Sequence, residues 1–146
     1  MQHRKFTNVI KITSLIFISI VIITSLQSCA KKITFLSSSE VPAASGKVKV
    51  KKDKNKNYNI GISIDNLAPS TNLHPSANTY VVWAVTSNET KNLGQINSSS
   101  GFLSSKLKAS FNAVSPAKPN KVFITAEDNG NAFYPNNRVV LTTANF

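Results

Sequence analysis

The sequence predicts an all-β domain built as a two-layer antiparallel sandwich. Two observations carry this. Beyond Gly46, apolar residues recur at every second position, the period of a strand with one buried face. Clusters of Gly, Pro, Asn and Ser interrupt these runs at short intervals, and no window beyond Cys29 sustains helical spacing.

Each element has its own justification. Val48 and Val50 alternate with Lys47, Lys49 and Lys51. Tyr58, Ile60, Ile62 and Ile64 alternate with Asn59, Gly61, Ser63 and Asp65. The polar stretch Lys52-Asp53-Lys54-Asn55-Lys56-Asn57 lies between them, so the two runs form a hairpin with one apolar face. Ala68 to Asn78, with Pro69 and Pro75, is a loop. Thr79 to Thr86 is apolar on both faces and predicts a central strand covered on both sides. Ser87 to Thr90 turns the chain. Asn92 to Asn97 places Leu93 and Ile96 around Gly94, and the glycine predicts a bulge. Ser98 to Gly101 turns again, and Leu107, Ala109 and Phe111 then alternate with Lys106, Lys108 and Ser110. Pro116 and Pro119 bracket a loop before Lys121 to Glu127, a second largely buried strand. Asp128 to Asn137 is a loop with Gly130 and Pro135, and Arg138 to Thr143 is the last strand. About seven short strands in one domain suit an immunoglobulin-like sandwich, with a closed barrel as the alternative.

The N-terminus has a different character. His3, Arg4, Lys5 and Lys11 form a basic region, and Ile12 to Leu26 is apolar. Only fifteen residues separate Lys11 from Gln27, and five of them are Ser or Thr. A stable spanning helix wants about 20 apolar residues, so a removable signal helix fits better. Leu26-Gln27-Ser28-Cys29 resembles the lipobox of bacterial lipoproteins, with Gln27 departing from the usual small residue. The resemblance implies cleavage before Cys29, diacylglycerol on its sulfur and a palmitate-type acyl group on the new amino group. Two or more chains make a stable anchor, since each buried CH2 contributes about 0.8 kcal/mol. The alternative is an uncleaved membrane anchor with Cys29 a bystander.

The expected organisation is a signal peptide over residues 1–28, an acylated Cys29 with a flexible tether over 29–46, and the sandwich over 47–146. Ile33, Phe35 and Leu36 are the apolar residues of the tether and are candidates either to lie on the membrane or to supply a first edge strand. Cys29 is followed by Ala30, Lys31 and Lys32 with no Asp, which points to the outer membrane and its periplasmic face. Fourteen Lys and Arg face six acids in the 118 residues from Cys29 onward, a net charge of about +8. Such a domain is drawn to anionic lipids, envelope polymers or acidic proteins. Export makes nucleic acid an unsuitable partner. The abundance of Asn and Lys also fits a genome of biased base composition.

Catalytic chemistry finds little to use. His74 is the only histidine beyond Cys29, it sits in a loop, and no Gly-x-Ser-x-Gly elbow occurs. Glu127 and Asp128 are neighbours on a strand end and point to opposite faces. Asp128-Asn129-Gly130-Asn131 has the flavour of a calcium loop without its further acids. No catalytic residue, metal or cofactor is expected. Lys47, Lys49, Lys51, Lys52, Lys54 and Lys56 form the densest charge cluster. They suit contact with an anionic polymer or lipid surface. The competing and preferred reading is a solvated edge strand that resists aggregation. Trp83 and Tyr80 invite a sugar-stacking reading, but Trp83 sits in the most apolar strand, where a core role is expected.

One further resemblance exists. Tyr80-Val81-Val82-Trp83, Asn92-Leu93-Gly94, Val122-Phe123-Ile124-Thr125-Ala126-Glu127, and Pro135 before Val139-Val140-Leu141 look like the extracytoplasmic C-terminal domain of anti-sigma-K factors. The resemblance covers Thr79 to Thr143 and implies a β-sandwich in the cell envelope. About eleven residues precede the apolar stretch, where that family carries its sigma-binding domain. Sigma-factor regulation is therefore not implied. The expectation is a lipid-anchored, non-enzymatic interaction, sensory or structural module with an envelope protein partner. A binder of anionic polymers or lipid surfaces is the alternative.

Overall fold

The computed structural model describes residues 31–101, 104–136 and 138–146. The segment expected to be a signal peptide and Cys29 lie outside the described residues. Nine strands are present among them: β1 (Lys31–Thr34), β2 (Ser45–Lys52), β3 (Tyr58–Asp65), β4 (Thr79–Val85), β5 (Thr90–Ile96), β6 (Ser99–Gly101), β7 (Ser104–Ser115), β8 (Lys121–Glu127) and β9 (Val139–Thr142). A single 3-10 turn spans Ser70–Asn72. One sheet has the order β1-β2-β3-β7-β6 and the other β5-β4-β8-β9, with every pair antiparallel. The subset β2-β3-β7-β6 against β4-β8-β9 is the strand order of a constant-type immunoglobulin domain. β5 extends one sheet beside β4, and β1 extends the other beside β2.

The chain is therefore an all-β, two-layer immunoglobulin-like sandwich and not a closed barrel. Two strands exceed the seven expected. β6 occupies Ser99–Gly101, where a turn was expected, and pairs with β7. β1 falls inside the expected tether. Lys31 to Thr34 pair with Val50 to Lys47, Phe35 bridges to Thr143, and Leu36 donates its N–H to Thr142 O. Val41 and Ala44 are buried. The apolar residues Ile33, Phe35 and Val41 explain the difference, because each has core to pack against.

The registers set the two ends of the sandwich. Lys52 pairs with Tyr58, Tyr58 with Ser115, and Val85 with both Lys121 and Thr90. The β2–β3, β4–β5 and β7–β8 connections therefore share one end, called here the turn end. The β3–β4 and β8–β9 connections share the other, the loop end. Lys31 lies opposite Val50, so the chain enters the sandwich at the turn end.

The core lies between the sheets. Val48, Ile60, Ile62, Ile64 and Ala109 face Tyr80, Val82, Ala84, Ile96, Val122, Ile124, Ala126, Val140 and Leu141. Burying each large aliphatic side chain contributes about 1.5–3 kcal/mol. This core has to suffice, because the sequence has one cysteine and no internal disulfide.

The bulge expected at Gly94 is present. Val82 pairs with Gly94 and Trp83 with Asn92, which leaves Leu93 unpaired. Gly94 has φ +131°, and a Cβ there would lie 3.3 Å from the Phe111 ring. Both the backbone and the space require glycine. Gly94→Ala should lower stability by about 1–3 kcal/mol in urea unfolding. An unchanged midpoint would show that this kink carries no strain.

Candidate interaction surfaces at the two ends

β4 is buried along almost its whole length, but its two faces meet different partners. Tyr80, Val82 and Ala84 enter the core between the sheets. Val81 and Trp83 alternate with them and so belong to the outer face, yet both have 0% exposure. Trp83 is thus buried, as expected, but on the far side of its sheet. Its ring stacks on Phe123 with centroids 6.3 Å apart. Its Nε1–H donates to Thr125 Oγ1 at 2.7 Å. Thr125 donates in turn to Glu127 Oε1 at 2.5 Å. The same carboxylate oxygen accepts the Asn136 N–H at 3.0 Å. Glu127 is 5% exposed, and its burial is tolerable because both donors converge on it.

The β8–β9 loop covers this outer face. It leaves β8 and is tied to β5, which lies on the other side of β4. Asn92 Nδ2 donates to the carbonyls of Gly130 at 3.0 Å and Ala132 at 2.9 Å. The approach is close enough that a Cβ on Gly130 would collide with the Gln95 side chain. The return limb is held by Asn136, whose Nδ2 donates to Ala126 O at 2.5 Å. Asn78 Nδ2 ties Asp128 O to the β3–β4 loop at 3.1 Å. Asn129 Oδ1 accepts the Asn131 N–H, so these groups serve the loop's own folding. Glu127 is buried beneath the loop and Asp128 is exposed.

Between the two pinned limbs stand Phe133, 89% exposed, and Tyr134, 85% exposed. A depression of about 560 Å³ runs beside them, lined by Thr90 to Gln95 of β5 and by Gly130 to Phe133. The loop end continues across Arg138, which pairs with Glu40 at 3.0 Å and donates to Pro75 O. A second depression of about 380 Å³ lies between Glu40–Ala43 and Asn72–His74. His74 is exposed there, and the peptide bond to Pro75 is cis.

Tyr80 supports this end from inside. Its hydroxyl donates to Ala68 O at 2.9 Å and so anchors the β3–β4 loop. Burial raises its pKa from 10.0 to about 12, with the Arg138 charge opposing and the Glu40 charge adding to the rise.

The six lysines of the predicted cluster are not equivalent. Lys47, Lys49 and Lys51 share the outer face of β2, while Lys52 turns to the other face and lies 5.8 Å from the Tyr58 ring centroid. Lys54 and Lys56 are in the turn, where Asp53 Oδ1 accepts the N–H groups of Asn55 and Asn57. Lys47 is half-buried, and the other five are exposed. β2 is not an edge strand, because β1 and β3 flank it. The edge-protection reading therefore does not apply to it. Register instead aligns Lys32 with Lys49 and widens the basic face onto β1. Cys29, the expected acylation site, lies outside the described residues.

Phe133 and Tyr134 were missed by reading for chemistry. The available signal was the pair itself, two aromatics inside a run of Gly, Asn and Pro, where a loop has no core to bury them. In comparisons with known proteins, no family model matches the chain, and no characterised protein or solved structure matches it.

Two outcomes are expected. Trp83 is the only tryptophan, so its fluorescence reports the loop cover. Asn92→Ala should raise acrylamide quenching of Trp83; unchanged quenching would mean that the loop stays seated without Asn92. Tyr80 has its folded pKa above its unfolded value, so its stabilisation is complete below about pH 10 and lost as pH rises toward 12. The stability difference between the wild type and Tyr80→Phe should shrink across that interval in urea titrations. A constant difference would contradict the burial effect.

Proposed function

We propose that this chain is an outer-membrane lipoprotein, held through Cys29 and facing the periplasm, whose sandwich is a non-enzymatic interaction module. Its contact surface for an envelope protein is the loop end. The observation that carries this reading is the display of Phe133 and Tyr134, 89% and 85% exposed, on a loop bonded at both limbs. Large aromatics left in water represent unused burial, and such residues dominate protein interfaces. A loop already fixed by Asn92, Asn136 and Glu127 loses little freedom on binding, which favours affinity. The depression beside β5 offers room for a side chain of the partner.

The test uses the processed chain purified from membranes and offered to solubilised envelope proteins at low and high salt. One partner retained at high salt, and lost with the double substitution Phe133→Ala and Tyr134→Ala, supports the reading. Both side chains are exposed, so the melting temperature of the variant should not move. Retention unaffected by the substitutions, or no partner at high salt, would overturn it.

A further inference from the structure

The two ends of the sandwich differ in charge: one is strongly basic, while at the other Lys47, Lys108 and Arg138 balance most of the acids. At the turn end are Lys51, Lys52, Lys54 and Lys56 from β2 and its turn, Lys91 from β5, and Lys118 from the β7–β8 connection. All six are exposed. Facing them are Asp53 and Glu89. Asp53 is already engaged by the amides of its own turn. Four of the six acids lie at the loop end: Glu40, Asp65, Glu127 and Asp128.

The chain enters at the basic end. Lys31 pairs with Val50, two residues before Lys52. Cys29 precedes Lys31 by two residues, a reach of roughly 7 Å at most. With β1 folded into the sheet, no long tether separates the domain from an anchor at Cys29. An acyl chain in the bilayer thus brings the turn end to within about a Debye length, roughly 8 Å at physiological salt, of the headgroups. At that distance each lysine is attracted by an anionic surface.

We infer that the turn end docks against anionic lipid headgroups of the membrane that holds Cys29, which points the loop end, with Phe133 and Tyr134, away from the bilayer. This rests on the proposed anchor and adds to it an orientation and a lipid class. The register of β1 on β2 places the entry point beside Lys51 and Lys52, so the anchor and that part of the surface stay together. The aromatic loop, at the opposite end, is then left free for a protein.

The experiment reconstitutes the processed full chain in vesicles of phosphatidylcholine with or without phosphatidylglycerol. A fluorophore is placed at Asn55→Cys in the β2–β3 turn or at Ser76→Cys in the β3–β4 loop, and a headgroup-bound quencher reports proximity. In anionic vesicles the Asn55 position should be quenched strongly and the Ser76 position weakly. Neutral lipid or high salt should remove the contrast. Reversing Lys54 and Lys118 to Glu should lower the docked-to-undocked ratio roughly tenfold or more. Reversing Lys47 and Lys108 to Glu changes the net charge equally but away from this end, and should leave most of the contrast.

Equal quenching at both positions, or equal effects of the two charge-matched pairs, would overturn the inference. So would tighter binding of soluble polyphosphate than of vesicle phosphate, which would make a polymer the occupant. Mass spectrometry of Cys29 tests the anchor separately. An unacylated Cys29 sinks the lipoprotein reading, while the quenching pattern still reports which end faces the bilayer.

Discussion

A strand of seven residues with almost nothing exposed needs cover on two sides, and β4 obtains it from two different sources. The opposite sheet supplies one through the aliphatic side chains around Val82. The β8–β9 loop supplies the other by folding back across Trp83 to reach Asn92. Because the loop is irregular backbone over an apolar face, its polar groups need partners close by. Asn92, Asn78 and Glu127 provide them, and Asn136 bonds back to β8. The bulge at Gly94 belongs to the same arrangement, since it sets the register of the strand that carries Asn92.

This solution differs from that of disulfide-bonded immunoglobulin domains, where a tryptophan on the corresponding strand packs against the inter-sheet bridge. Here there is no bridge, and Trp83 faces outward. Isoleucine, valine and leucine fill the space between the sheets. The tryptophan joins a hydrogen-bonded chain that ends on a buried carboxylate. The cost of burying Glu127 is offset only while the loop is in place, so loop and sheet are coupled. The same coupling keeps Phe133 and Tyr134 at a fixed position in solvent.

The antiparallel register also distributes function between the ends. The end from which the β3–β4 and β8–β9 loops rise carries the aromatic pair, the Arg138–Glu40 pair and four of the six acids. Turns at the opposite end carry lysines and the entry of the chain. Bringing β1 into the sheet matters for this division, because it leaves only Ala30 between the sandwich and Cys29.

Much of the architecture was legible in the chain. Alternation identified β2, β3 and β7, and the continuous apolar runs identified β4 and β8 as strands covered on both sides. Gly94 announced its bulge. These features are local, being set by side-chain period and by the backbone freedom of one residue type. The short strand β6 was not legible as a strand, and β1 only as one alternative for Ile33 to Leu36, because three or four residues carry no period and depend on a neighbour for pairing. The same limit hid which strand is an edge, and so gave Lys47 to Lys56 the wrong setting. It also hid the side of β4 on which Trp83 is buried, since a run apolar on both faces has no inside. Phe133 and Tyr134 were visible as letters but not as a surface. Residues on one strand reveal their own periodicity, whereas exposure, edge position and the meeting of Asn92 with Gly130 depend on segments distant in sequence, and only the packed sheets bring these together.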